Sequence, residues 1–293
     1  MIRCSTSRYC GVFRAAASAV LLLTSTAAAH DSPEHRVEAL TLQLARKGAR
    51  AELLAKRGDE HLALAEVDAA VSDFRAAVAL DPKDVAARYG LCRALLNAGD
   101  FDAVVTASRA AAELTNDDHA SAAFDAMLGR AQAELGQIAA ACNAYARACH
   151  TGRPEADWVL QHARLLSRQE RHAEAIAALE SALKLQPNAA LERRWVEALI
   201  AAGRHTQAEI AIEAGLARAP SAVGWRLLSA ELNLARGAYA DALEAATNVL
   251  RRLEARSLTA ASNRLNATRT NEARRIAANA NAALAKSEST PSL

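Results

Sequence analysis

Aromatic side chains are scarce in this sequence, 4% of 293 residues, although hydrophobic residues make up 52%. Proline is held to six. Few stretches alternate valine, isoleucine, threonine and aromatics, so a half-buried strand has nowhere to form. What fills the chain instead is alanine and leucine, strong helix formers with small or flexible side chains. The expectation is an all-α protein whose helices approach one another closely. Catalytic signatures are missing as well: there is no GxSxG, HExxH, P-loop or dinucleotide fingerprint. The eight histidines (30, 35, 61, 119, 150, 162, 172 and 205) are dispersed, and no nucleophile stands beside a base. No catalytic residue, cofactor or metal set is therefore assigned, and the chain reads as a non-enzyme.

The net charge is +2, but residues 1–29 carry Arg3, Arg8 and Arg14 with no acid, so the remainder is −1. A near-neutral chain has no global attraction for nucleic acid or an anionic membrane. The three arginines precede an apolar stretch at 15–23 and the small residues Ala27, Ala28 and Ala29, the pattern of a secretory signal peptide cut after Ala29. The apolar stretch is shorter than the roughly 20 residues that span a bilayer, and no second hydrophobic run follows. No twin-arginine pair and no lipidation cysteine accompany it. The expected destination is the periplasm or the medium.

Removal of residues 1–29 also takes Cys4 and Cys10, leaving Cys92, Cys142 and Cys149. Cys142 and Cys149 sit seven residues apart on one expected helix, about 10.5 Å along its axis, too far for a disulfide. They read as small buried helix residues, without zinc or thioredoxin-like spacing. Cleavage would place His30 first, where its amine and imidazole, with His35, are a candidate copper chelate. That makes an envelope copper-handling accessory the alternative function, against the plainer reading of a histidine in a flexible terminus.

Laying the chain on itself reveals a 34-residue period. Residues 51–84 place Leu54 at position 4, Gly58 at 8, Ala70 at 20, Phe74 at 24, Ala77 at 27 and Pro82 at 32. Residues 85–118 carry Gly99-Asp100-Phe101 and Ala111; 122–155 carry Gly129, Gly136, Ala141, Tyr145 and Ala148; 156–188 carry Ala163, Ala175, Leu179, Ala182 and Pro187; 189–222 carry Gly203, Ala208 and Pro220; 223–256 carry Ala230, Gly237 and Ala242. Two departures stand out: Glu170 replaces the turn glycine in the fourth unit, and Val196 occupies the small position 8 in the fifth. A large side chain at 8 or 20 would force paired helices apart, and proline at 32 ends the second helix.

The pattern closely resembles the tetratricopeptide repeat. That resemblance implies an α-solenoid, a right-handed superhelix of helix-turn-helix repeats, with six repeats over 51–256 in a segment that binds protein rather than doing chemistry. Residues 30–50 form an N-terminal segment in which Ser32-Pro33 opens a helix carrying Val37, Leu40 and Leu44. Residues 257–286 read as a C-terminal cap, with Leu258, Ala261, Leu265, Ile276, Ala280 and Leu284 on narrow apolar stripes. Residues 287–293 read as a disordered tail.

In the family, first helices line a concave groove through positions 2, 5, 6, 9, 12 and 13. Position 9 here reads Asp59, Arg93, Arg130, Arg164, Glu197 and Glu231. Tyr89 and Asn97 join Arg93, Arg168 lies one turn beyond Arg164, and Arg193 and Arg194 fill positions 5 and 6 of the fifth repeat. Guanidinium groups take carboxylates in a bidentate grip, so this set points to an acidic peptide or helix of a partner protein. The competing reading is ordinary solvated charge, with Arg130 paired to Glu134 at i, i+4. Against it, Arg164 and Arg168 repel one another at that spacing. The family's clamp on a chaperone's carboxy terminus needs lysine and asparagine where Ala55 and Asp59 stand, so that activity is not implied. Between 251 and 286, eight basic residues oppose Glu254 and Glu272, either a solvated cap or a peripheral contact with anionic lipid or an acidic partner.

Overall fold

The computed structural model describes residues 32–150, 153–254 and 260–289. The proposed signal peptide, Cys4, Cys10, His30 and Leu258 lie outside them. Among the described residues there are fourteen helices and no strand. Helix α1 (Pro33–Lys47) precedes six helical hairpins: α2 (Ala51–Ala63) with α3 (Val67–Leu80), α4 (Val85–Ala98) with α5 (Phe101–Leu114), α6 (Asp118–Glu134) with α7 (Ile138–Ala148), α8 (Ala156–Arg168) with α9 (His172–Leu185), α10 (Ala189–Ala201) with α11 (His205–Arg218), and α12 (Val223–Ala235) with α13 (Tyr239–Glu254). A single long helix, α14 (Ala260–Ser289), follows. The chain divides into two compact units at Ala144/Tyr145, inside α7. In the first unit α2, α4 and α6 pack side by side; in the second, α8, α10, α12 and α14 do the same.

Small residues let the two helices of each hairpin meet. Position 20 is Ala70, Val104, Ala141, Ala175, Ala208 and Ala242, and each is 0% exposed. Position 8 is equally buried, from Gly58 to Ala230. Val196 is accommodated there with no exposure.

Large side chains lie instead between successive repeats. The ring of Phe74, on α3, is wedged between α2 and α4: a methyl built on Gly58 would lie 2.9 Å from it and one on Gly90 2.2 Å. Where position 24 is small, the next repeat supplies the bulk. Ser108 stands at position 24 of the second repeat, and Phe124 of α6 packs on Ala111 and Cys92. In the second unit Trp225 of α12 covers Gly215 of α11, where an added methyl would come within 2.3 Å of the indole.

Every hairpin turns through one backbone device. Residue 15 of the repeat has positive φ: 60° at Ala65, 74° at Gly99 and Gly136, 60° at Glu170, 71° at Gly203 and 77° at Gly237. The N–H of residue 16 then donates to the carbonyl of residue 11, from Glu66 to His61 at 2.8 Å through Ala238 to Asn233 at 2.9 Å. This bond spanning five residues closes a Schellman-type end and satisfies a carbonyl the helix leaves open. Glu170 therefore adopts the left-handed conformation that the sequence assigns to glycine. Side-chain caps open several of the following helices, with Asp84, Asp100 and Asp117 accepting from the N–H of the residue three positions on.

The terminal helices are held differently. α1 has no fully buried residue; Leu44 packs against Leu54, Ala77 and Ala87, and Arg36 Nε and Nη2 donate to the two oxygens of Glu60 at 2.7 and 2.8 Å. Below it, Arg57 makes a bidentate pair of 2.7 Å bonds with buried Asp73 and reaches Thr41 of α1 at 3.1 Å. At the other end α14 presents Ala273, Ile276 and Ala280, all fully buried, to α12 and α13. Leu265, expected on the apolar stripe, is 55% exposed, because the buried stripe runs through Asn266 rather than its neighbour. Helical backbone continues to Ser289, into the stretch read from sequence as a tail.

Left-handed conformation costs a residue with a Cβ about 1–2 kcal/mol, partly offset by the greater chain entropy that glycine loses on folding. Ala65→Gly and Glu170→Gly are each expected to raise the thermal midpoint of the full chain, by about 0.5–1 kcal/mol of stability. Gly90→Ala is expected to lower stability by about 1–3 kcal/mol through overpacking, with Phe74→Leu in the same chain restoring part of the loss. Circular dichroism melts read both series.

Candidate partner-binding face

The first helices of the first unit present Tyr89, Arg93 and Asn97 at successive turns of α4. Tyr89 is 40% exposed, and its ring meets Phe124 of α6 edge-on, with centroids 6.2 Å apart. A side chain that also supports its neighbour is a fixed platform rather than a free contact. Asn97 is exposed. Arg93 is exposed but shared: its Nη2 donates to Asp59 Oδ1 at 2.5 Å. The two residues are 34 apart and hold position 9 of adjoining repeats, so stacking the repeats itself brings the opposite charges together. Arg130 of α6 is exposed, and the expected i, i+4 pair with Glu134 does not form: neither residue takes part in an ion pair among the described residues.

The second unit holds the other predicted positions on α8 and α10. Arg164 and Arg168 are exposed one turn apart, and no carboxylate lies within salt-bridge distance of either among the described residues. On α10, Arg194 Nη1 donates to Glu197 Oε2 at 2.6 Å. Arg193 lies across to α12: its Cδ would be 3.1 Å from a methyl placed on Gly224. Glycine at position 2 of the sixth repeat thus makes room for a guanidinium stem, a role the sequence pattern gave no reason to expect.

Three carboxylates that sequence reasoning left out of the site continue this face. Glu197 of α10, Glu231 of α12 and Glu272 of α14 stand on successive first-layer helices, each half-buried. Burial, opposed by Arg194 and reinforced by Glu231, pushes the Glu197 carboxyl above the usual carboxylate range. Burial followed by repulsion from Glu231 and Glu197 does the same to Glu272. Arg275 of α14 answers Glu231 at 3.1 Å, so one of the basic residues at 251–286 turns to the protein rather than outward. An open recess of about 360 Å3 lies between α13 and α14, lined among others by Glu254, Asn266, Thr270 and Arg274.

The remaining polar groups of chemical interest are quiet. Cys92 is buried, accepts from Ser108 Oγ at 3.4 Å and has its thiol pKa raised by burial. Burial pushes the Cys149 thiol up to about 12, and such thiols are protonated at neutral pH and inert. None of Cys92, Cys142 and Cys149 is in a disulfide. Among the described residues no three histidine, cysteine or acidic side chains converge as a metal set, and no helix is long and apolar enough to cross a membrane.

Six consecutive helical hairpins, a shared left-handed turn and small residues at fixed positions define a helical repeat protein. Tetratricopeptide repeat models match residues 61–123, 159–189 and 193–257, and the chain belongs to the tetratricopeptide repeat family. Among solved structures it is similar to PilW, a type IV pilus biogenesis factor, with a TM-score of 0.53 and 16% identity over 71% of this chain and 95% of that one. YrrB, a protein with an unusual peptide-binding site, gives 0.51 and 15% over 64% and 96%. The C-terminal part of a repeat protein from Cytophaga hutchinsonii gives 0.53 and 14% over 82% and 87%. At these identities the fold is what is shared. No curated protein matches the sequence.

Proposed function

We propose that this protein is a non-catalytic scaffold of the cell envelope that holds an acidic segment of a partner protein against the first-helix face of its second unit. The observation that carries the reading is the arginine set of α8 and α10. Arg164 and Arg168 face solvent with no carboxylate of the described residues within salt-bridge distance of either guanidinium, and two like charges one turn apart cost the helix a little without a structural return. Arg193 and Arg194 project from the adjoining helix. Guanidinium forks of this kind match carboxylates in geometry as well as charge. The fold is compatible with such a role, since YrrB carries a peptide-binding site on it. In the first unit Tyr89, Asn97 and Arg130 are exposed, and Arg93 is shared with Asp59. The envelope location is supported by the amino-terminal pattern of three arginines, apolar stretch and Ala27-Ala28-Ala29.

A fluorescein-labelled hexa-aspartate peptide is a direct probe of the arginine set, read by anisotropy at low salt. The parent protein is expected to bind it in preference to hexa-lysine, and Arg164→Glu with Arg168→Glu to weaken it about tenfold or more. Unchanged affinity in that variant would overturn the assignment of the face. For the location, intact-mass measurement of the protein recovered from the periplasm is expected to show a chain beginning at His30. Retention of residues 1–29 would remove the envelope from the proposal.

A further inference from the structure

The arginine face has a carboxylate of its own at the centre. Glu197 projects from α10 one turn after Arg193 and Arg194, is half-buried, and accepts a 2.6 Å bond from Arg194 Nη1. The groups acting on it come from each first-layer helix around it. Arg164 of α8 and Arg193 and Arg194 of α10 favour its charge, and Glu231 of α12 opposes it. Glu272 of α14, with Arg275 and Arg269 beside it, is repelled by Glu197 and Glu231 in turn. Arg194 is thus paired with an internal acid whose charge Arg193 and Arg164 also feel, while Arg168 lies beyond it. That acid is held where burial and a like charge both work against its ionisation.

We propose that Glu197 sets the affinity and selectivity of this face by acting as a built-in competitor, occupying the arginine cluster until carboxylates of an acidic partner segment displace it. The inference rests on the acidic-segment reading above. Arg194 meets Glu197 through one nitrogen, and the exposed quarter of its side chain is where an incoming carboxylate would join before the internal one leaves. The internal anion lowers the attraction felt by any weakly acidic sequence, so that a segment must bring several carboxylates to compete. It follows that selectivity is created by a repulsive element as well as by the attractive ones.

The sign of the pH effect is fixed by the same geometry. A carboxyl whose pKa is raised takes up its proton at a higher pH than an ordinary glutamate, so acidification from neutral pH frees the arginines. An aspartate probe, with side chains titrating near 4, stays charged above about pH 5. Affinity for it is expected to rise as the pH is lowered from neutral, beginning above the range in which an ordinary glutamate titrates.

Hexa-aspartate binding by the full chain, by Glu197→Gln and by the Arg164→Glu, Arg168→Glu double variant tests this, with melts confirming that each is folded. Glutamine keeps the shape and removes the charge, and is expected to tighten binding about threefold or more at pH 7.5 and to flatten the pH dependence. If Glu197→Gln binds no better than the parent while the double variant weakens, Glu197 only positions Arg194 and the competitor inference is overturned with the binding face intact. If neither variant changes the affinity, the face is not the site, and both this inference and the reading beneath it fall.

Discussion

The closeness with which two helices can approach governs this molecule. Paired helices meet at positions 8, 20 and 27, and the residues there are glycine, alanine, cysteine or valine with essentially no exposure. With interfaces this narrow there is little room for a ring inside a hairpin, so the few aromatics are displaced to the seams between hairpins. Phe74, Phe124 and Trp225 each cross from one repeat to the next. The alanine-rich, ring-poor composition is thus a direct consequence of packing distance. It also leaves the outer faces of the first helices free to carry charge without disturbing the core.

The binding face follows from that arrangement but is not fixed by it, since a fold does not name its ligand. Pairing within the protein decides which charges remain for a partner. Asp59 takes Arg93, Glu197 takes part of Arg194, and Arg275 answers Glu231. Arg164 and Arg168 are left facing water. A count of basic residues on the groove positions overstates what is offered, because each first-layer helix contributes both the cation and, in places, the anion that occupies it.

The helices, their order and the hairpin turns were legible in the sequence because the residues that specify them are near one another along the chain. Gly99 and Gly203 announce a left-handed turn, and even at Glu170, where the glycine is missing, the bond from Arg171 to the Leu166 carbonyl imposes the same conformation. The helix opened by Ser32-Pro33 starts where the cap signal puts it. What escaped was information held between repeats. The exchange of bulk between position 24 and position 3 of the following repeat, as at Ser108 and Phe124, joins residues that no local pattern links. The Arg93–Asp59 pair was readable in principle, since both stand at position 9, but a search for i, i+4 partners looks along one helix and passes over the neighbour 34 residues away. Leu265 failed for a similar reason, because only the packing of α14 on α12 and α13 determines which stripe is buried.

The rings that bridge repeats have a bearing on how such a chain can change over time. Within each unit, seams are shaped residue to residue: Phe74 needs the missing side chain of Gly90, and Trp225 needs that of Gly215. A repeat excised or duplicated in place would bring Phe74 against a residue with a side chain, or leave Gly215 facing empty space. The repeats look interchangeable when aligned, yet they form an ordered series in which neighbours are matched like a key and its own lock. Substitution within a seam has to proceed in compensating pairs, while the charged outer face is free to vary one residue at a time.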